Sequence, residues 1–213
     1  MNIFEEGSPF QVFLNKMTDL LVLNLITLLM CVPVITAGAS LTAMHYVLLK
    51  MVRGQEGYIV RSFFRSFKRN FLQATILWLI FAALWALMGS NLYMIVTGSG
   101  RYPTWLPASI LVAGLMLIMI MIYTFAMLSR FESTVIGTLI NAVTLMFSEL
   151  PRSLEMLVIA VLPIAALVFV PVLVPVLILF GISVPGFACA MVYDPIFRKI
   201  ERQMGEEEQE EEA

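Results

Sequence analysis

The sequence predicts an all-α protein. It reads as a polytopic transmembrane helical bundle of about five to six membrane segments, with one or two interrupted helices and cytoplasmic amphipathic surface helices. Three observations carry this reading. First, 60% of the 213 residues are apolar and the mean hydropathy is +0.91, whereas soluble domains are roughly 45–50% apolar. Second, the excess lies in runs without Asp, Glu, Lys or Arg: Leu20 to Leu49, Phe71 to Gly100, Tyr102 to Ser129 and Met156 to Tyr193. Each is longer than the roughly 20 residues a helix needs to cross the hydrocarbon core. Third, basic clusters alternate with turn-rich connections that carry little charge. The whole of 1–204 reads as a single integral membrane domain. Residues 205–213 form an acidic tail, "EEEQEEEA" at its end, and like-charge runs of this kind are expected to be disordered. Without that tail the chain is net positive.

The first run starts at Leu20 as a retained helix. The motif "AGA" at Ala37 to Ala39 follows an apolar stretch as a signal-peptidase site would, but the segment before it holds Glu5, Glu6 and Asp19 rather than a basic region. Pro33 and Gly38 interrupt the run, and the chain must still reach the basic connection after Lys50. Residues 39–50 are therefore expected to return as a short segment, which puts both termini inside. The alternative has the N-terminus outside and residues 39–52 along the inner surface. Lys50, Arg53, Arg61, Arg65, Lys68 and Arg69 crowd the connection that follows, so the loop 50–69 is expected to be cytoplasmic. Thr97 to Pro107 has one arginine, with Tyr102 and Trp105, and suits an external loop. Arg130 and Arg152 bracket an inner connection. Arg198, Lys199 and Arg202 put the C-terminus inside as well.

Met156 to Tyr193 would span about 57 Å as one helix, against a core of about 30 Å, and both of its ends carry inner-side charge. It is expected to enter and return, turning among Pro171, Pro175, Gly181, Pro185 and Gly186. A kinked helix followed by a surface helix competes with that reading.

Two stretches read as surface helices. Arg61 to Phe71 sets Phe63, Phe64, Phe67 and Phe71 on one face and Arg61, Arg65, Lys68 and Arg69 mostly elsewhere. Such a helix lies among anionic headgroups, so Arg61, Phe64, Arg65, Phe67, Lys68 and Arg69 form the expected lipid or partner surface. Ser133 to Leu150 places Val135, Ile136, Leu139, Ile140, Val143, Met146 and Phe147 at helical spacing, with Pro151 as its stop, and is expected at the inner surface or packed across the bundle.

"VPVITAGAS" (Val32 to Ser40) parallels "VPVLILFGIS" (Val174 to Ser183). Paired interruptions of this type point to binding sites in repeat-built transporters, because lipid cannot satisfy the backbone groups that a break frees. The candidate binding or helix-break residues are therefore Pro33, Thr36, Gly38, Ser40, His45, Pro175, Gly181 and Ser183. His45, the only histidine, is read first as a structural hydrogen-bonder and second as a ligand or proton group. Asn24 is read as interhelical glue, and Asp194, before Pro195, as a turn or cap residue. Cys31 and Cys189 lack metal or disulfide spacing. No cofactor, metal or nucleic-acid motif is present, and too few reactive groups converge for an enzyme.

Ser8 to Ile80 resembles the YesL family of bacterial membrane proteins of unknown function, found mainly in Gram-positive bacteria. The resemblance rests on Asn-Leu-x-x-Leu-Leu-x-Cys-x-Pro-Val-x-Thr-x-Gly-Ala-Ser (Asn24 to Ser40), on Glu-x-Tyr-Ile (Glu56 to Ile59) and on Phe-Phe-x-Ser-Phe-Lys-x-Asn-Phe (Phe63 to Phe71). It implies a plasma-membrane protein that is an accessory of carbohydrate uptake or use, with carbohydrate ABC transporter subunits as partners. It defines no catalytic residues. A small oligomeric secondary transporter or channel for a small solute is the alternative.

Overall fold

The chain's own punctuation sets where its helices begin and end. The computed structural model describes residues 9–55, 57–98 and 102–211. Helix α1 (Pro9–Cys31) stops before Val32-Pro33, because the residue ahead of a proline is pushed out of the helical region. A single 3-10 turn (Val34–Thr36) reverses the chain into α2 (Ala37–Val52). Gly54, at φ +65°, ends α2. Gln55 N–H bonds Lys50 O at 2.9 Å and Gly54 N–H bonds Met51 O at 3.3 Å, the paired C-terminal closure that favours glycine. Helices α3 (Ile59–Val96), α4 (Leu106–Arg130), α5 (Val135–Ser148) and α6 (Leu150–Phe169) follow. Pro107 and Pro151 sit in the first turns of α4 and α6, where a missing N–H costs nothing. The Thr134 hydroxyl accepts from Gly137 N–H at 3.1 Å and caps α5. After a 3-10 turn (Pro171–Leu173) come α7 (Val174–Phe180) and α8 (Ser183–Glu211), bent by 51° at their junction.

Five of these helices are long and apolar enough to cross a membrane, and the bent α7–α8 pair makes a sixth. The protein is thus a multi-pass integral membrane bundle. Helix α2 runs through its centre, packed on α1, α3, α4 and α8, and most of its side chains are buried. Residues 34–52 form a mostly buried helix long and apolar enough to cross a membrane. Small residues allow this position. A Cβ on Gly38 would lie 2.4 Å from Ala74 O and 2.6 Å from Trp78 Cβ, so the α2–α3 crossing is a backbone-to-backbone contact. Around α2 the core is closed by Leu20 and Leu23 of α1, Phe63 of α3, Tyr123 of α4, Met156 of α6 and Tyr193 and Phe197 of α8. The outward sides of the long helices carry Leu79, Leu87, Leu111, Leu162 and Val168, as a lipid-facing surface requires.

Two expectations are corrected, and the orientation of α5 is added. Arg61 to Phe71 is not a separate surface helix. It is the first part of α3, a 38-residue helix about 57 Å long, which has no glycine or proline before Gly89 to divide it. Phe63 is fully buried, and Phe64 and Phe67 pack against the same core. Of the proposed surface, only Arg61, Arg65, Lys68 and Arg69 are exposed. In α5 the face turned to the bundle is Thr138, Ala142 and Met146, while Ile136, Ile140, Val143 and Phe147 point outward. In a bilayer protein the more apolar face goes to lipid. Finally, the acidic tail continues α8 as helix through Glu211, because glutamate and glutamine are good helix formers and the preceding turn is already helical. Residues 212–213 lie outside the described residues.

Corners are fixed by side chains. Ser153 Oγ lies 3.2 Å from the Tyr123 hydroxyl and 3.0 Å from Met146 O, which ties the α5–α6 corner to α4.

Candidate functional site

Both interrupted segments attach to one face of α1. At the first break, the Thr36 hydroxyl lies 2.5 Å from Met30 O and 2.7 Å from Pro33 O and donates to one at a time. At Met30 it supplies a donor to a carbonyl that α1's end leaves without an intrahelical partner, whereas Pro33 O already accepts from Thr36 N–H at 2.9 Å. Ser40 Oγ donates to Thr27 O at 3.0 Å. At the second break, Asn24 acts as a two-sided clamp. Its Oδ1 accepts from Ile182 N–H at 3.1 Å and Ser183 N–H at 2.9 Å, and its Nδ2 donates to Ile178 O at 2.8 Å. Asn24 and Thr27 are one helical turn apart and both fully buried. The groups freed by the bend are therefore taken up by the chain itself. Glycine is needed at the bend: a Cβ on Gly181 would lie 2.3 Å from Leu177 O. The Ser183 hydroxyl is buried without a hydrogen-bond partner.

His45 is buried on α2, with Nδ1 3.1 Å from the Tyr193 hydroxyl of α8. Either group can donate, according to the histidine tautomer. His45 and Gly181 also line an apolar cavity of about 270 Å³, with Met44, Phe125, Pro163 and Cys189 among its walls. Pro33, Thr36, Gly38, Ser40, Pro175 and Ser183 do not line it. The structure thus brings Thr36 and Ser40 to one α1 contact and Ser183 to another. Only His45 and Gly181 share a cavity. The His45–Tyr193 bond predicts a measurable coupling. Tyr193→Phe and His45→Phe should each lower unfolding free energy by about 1–3 kcal/mol, and the double variant should cost clearly less than their sum. A double-mutant cycle in detergent checks this, and strict additivity would refute it.

The opposite end of the bundle is charged. Asp194 is not a turn residue, as the sequence suggested. It lies inside α8, where Pro195 is tolerated, and it is buried. Its oxygens accept from Arg53 Nε at 2.6 Å and Arg198 Nε at 2.7 Å. Arg53 Nη1 reaches both oxygens of Glu201 at 3.0 Å, and Arg130 Nε reaches Glu201 Oε1 at 2.7 Å. Burial works against the Arg53 charge, but the hydrogen bonds it donates to Asp194 and Glu201 outweigh it and hold the guanidinium above its ordinary range. Beside this cluster Arg69 pairs with Glu132, and Gln73 donates to Ser133 O. The network joins the C-terminal ends of α2 and α4 to the middle of α8. Sequence reasoning missed it, because Arg53 and Asp194 are 141 residues apart and local patterning carries no pairing signal. The only hint is that each sits where an apolar run ends.

Residues 20–92 match the model of a protein family described as "Protein of unknown function, DUF624". The match covers about a third of the chain and includes both the α1–α2 break and the basic start of α3. No curated protein and no solved structure matches.

Proposed function

We propose that this integral membrane protein is a non-catalytic accessory component of a carbohydrate-uptake system in the plasma membrane. The observation that supports this over a carrier is the closure of the breaks. Transporters use freed backbone groups of broken helices to hold substrate and ions, whereas here Asn24 and Thr36 take up groups freed at both breaks. The carbohydrate context comes from the resemblance of Ser8 to Ile80 to the YesL family. The basic start of α3, with Arg61, Arg65, Lys68 and Arg69 outward, is the surface offered to a transporter subunit or to anionic headgroups.

The charged end faces the cytoplasm on this reading, because the excess of Lys and Arg collects there. Single cysteines introduced at Gln55 and Thr104 test it in intact cells. A membrane-impermeant maleimide should label Thr104→Cys and not Gln55→Cys, and the reverse pattern would overturn the orientation. The functional reading is tested by mild-detergent purification from native membranes. Sugar-transporter subunits should co-purify. A protein that comes alone and moves labelled sugar into liposomes would replace the accessory role with the small-transporter reading, for which the His45-lined cavity would then be the route.

A further inference from the structure

We propose that the charged end holds a phosphate-binding site, built by Arg53, Arg198 and Arg202 in the groove between the end of α2 and α8. Three observations converge on it. Arg53, Gln55, Arg198, Glu201 and Arg202 line a cleft of about 390 Å³. Arg198 and Arg202 also line an adjoining cleft with Lys199, Gln203 and Glu206, so the groove continues along α8.

Asp194 and Glu201, the acids bonded to Arg53, are already occupied. Each Asp194 oxygen holds one arginine, and both Glu201 oxygens accept from Arg53, with Arg130 on one of them. The cationic groups are not matched in the same way. The Arg53 side chain is 10% exposed, with Nε and Nη1 engaged, yet its Nη2 is buried with no hydrogen-bond partner among the described residues. Leaving a charged donor unsatisfied is costly, and the partner it lacks is an acceptor. Arg198 spends only its Nε on Asp194, and Arg202 adds an exposed guanidinium one turn further along α8.

Guanidinium forks match the oxygens of a phosphate group. Gly54 fixes the geometry, since the closure of α2 at Gly54 and Gln55 holds Arg53 at the mouth of the groove. The groove begins where α2, a helix long and apolar enough to cross a membrane, ends at Val52. The ligand chemistry is thus a phosphate ester, offered either by an anionic lipid headgroup or by a soluble phosphate.

The test uses the full-length purified protein and two probes. In one arm the protein is reconstituted in mixed phosphatidylglycerol and phosphatidylcholine, extracted gently, and the lipid retained per protein is measured by native mass spectrometry. In the other, inorganic phosphate is titrated against chloride at equal ionic strength and the unfolding midpoint is followed. Arg202→Gln removes an exposed cation without touching the ion network. Arg53→Lys keeps a charge for Asp194 but removes the planar second nitrogen. Arg61→Gln/Arg65→Gln/Lys68→Gln controls for general attraction to anionic surfaces.

We expect phosphatidylglycerol retention to fall about tenfold in Arg202→Gln, as loss of one charge-assisted contact implies, to fall likewise in Arg53→Lys, and to persist in the triple control. Selective phosphatidylglycerol retention identifies a lipid headgroup as the source. A midpoint that rises with phosphate in wild type but not in Arg202→Gln identifies a soluble one. Retention and phosphate response both unchanged in Arg202→Gln would overturn the site, as would retention lost only in the triple control.

Discussion

Replacing Gly38 by leucine is expected to abolish recovery of folded protein, and even Gly38→Ala is expected to destabilise it. Helix propensity alone argues the other way, since alanine gains about 1 kcal/mol over glycine inside a helix. Packing decides the sign. The added Cβ would meet Ala74 O at 2.4 Å and Trp78 Cβ at 2.6 Å, and a carbonyl within α3 cannot swing away as a side-chain tip can. Overpacking typically costs about 1–3 kcal/mol, and here the two central helices of the bundle must separate. The internal control is Gly89 on α3, where a Cβ meets nothing within 4 Å. Gly89→Ala should be neutral or stabilising by up to about 1 kcal/mol. Thermal unfolding in detergent separates the two, and a Gly38→Ala midpoint at or above wild type would show that α2 and α3 do not cross so closely.

Asn24→Leu is expected to be the most damaging polar-to-apolar change in the bundle. The leucine fits the volume, so the loss is one of hydrogen bonding. Two amide groups and one carbonyl at the α7–α8 bend lose their partner together. Unsatisfied buried groups cost about 1–3 kcal/mol each, and neither lipid nor the apolar walls nearby can replace the amide. A destabilisation of about 3 kcal/mol or more should appear in denaturant or thermal unfolding. Thr18→Val, on the exposed side of the same helix, loses only a bond to Leu14 O and should change stability little. Equal effects of the two would remove Asn24 from its role as the clamp.

Much of the architecture is legible in the sequence, because charge-free runs and prolines are strong signals in a membrane protein. The length of Met156 to Tyr193 against the bilayer predicts an interruption, and the chain is interrupted at Pro171–Leu173 and again at the bend between α7 and α8. The reading of Asn24 as interhelical glue agrees with its three bonds, because a mid-span amide has few other ways to be satisfied. The basic aromatic stretch was misread because its periodicity suits a headgroup helix equally well and says nothing about continuity. Only the missing breaker between Ile59 and Met88 marks it as the start of α3. For α5 the period is legible but not the direction of its apolar face, since hydropathy cannot distinguish a core-facing side from a lipid-facing one. The similarity of the two breaks suggested one shared site. They share a helix instead, at Asn24 and Thr27, and which partner satisfies a freed backbone group depends on long-range packing that local pattern does not encode.

The central claim is that the broken helices are closed by the chain's own side chains. Amide hydrogen exchange at Ile182 and Ser183 in the folded, detergent-solubilised protein tests it most directly, because exchange reports local opening. The account predicts protection comparable to the neighbouring turns of α8 in wild type, and exchange about a hundredfold faster in Asn24→Leu, the factor that corresponds to about 3 kcal/mol. Fast exchange at both amides in wild type, unchanged by Asn24→Leu, would contradict it and mark the bend as a site left open for a ligand.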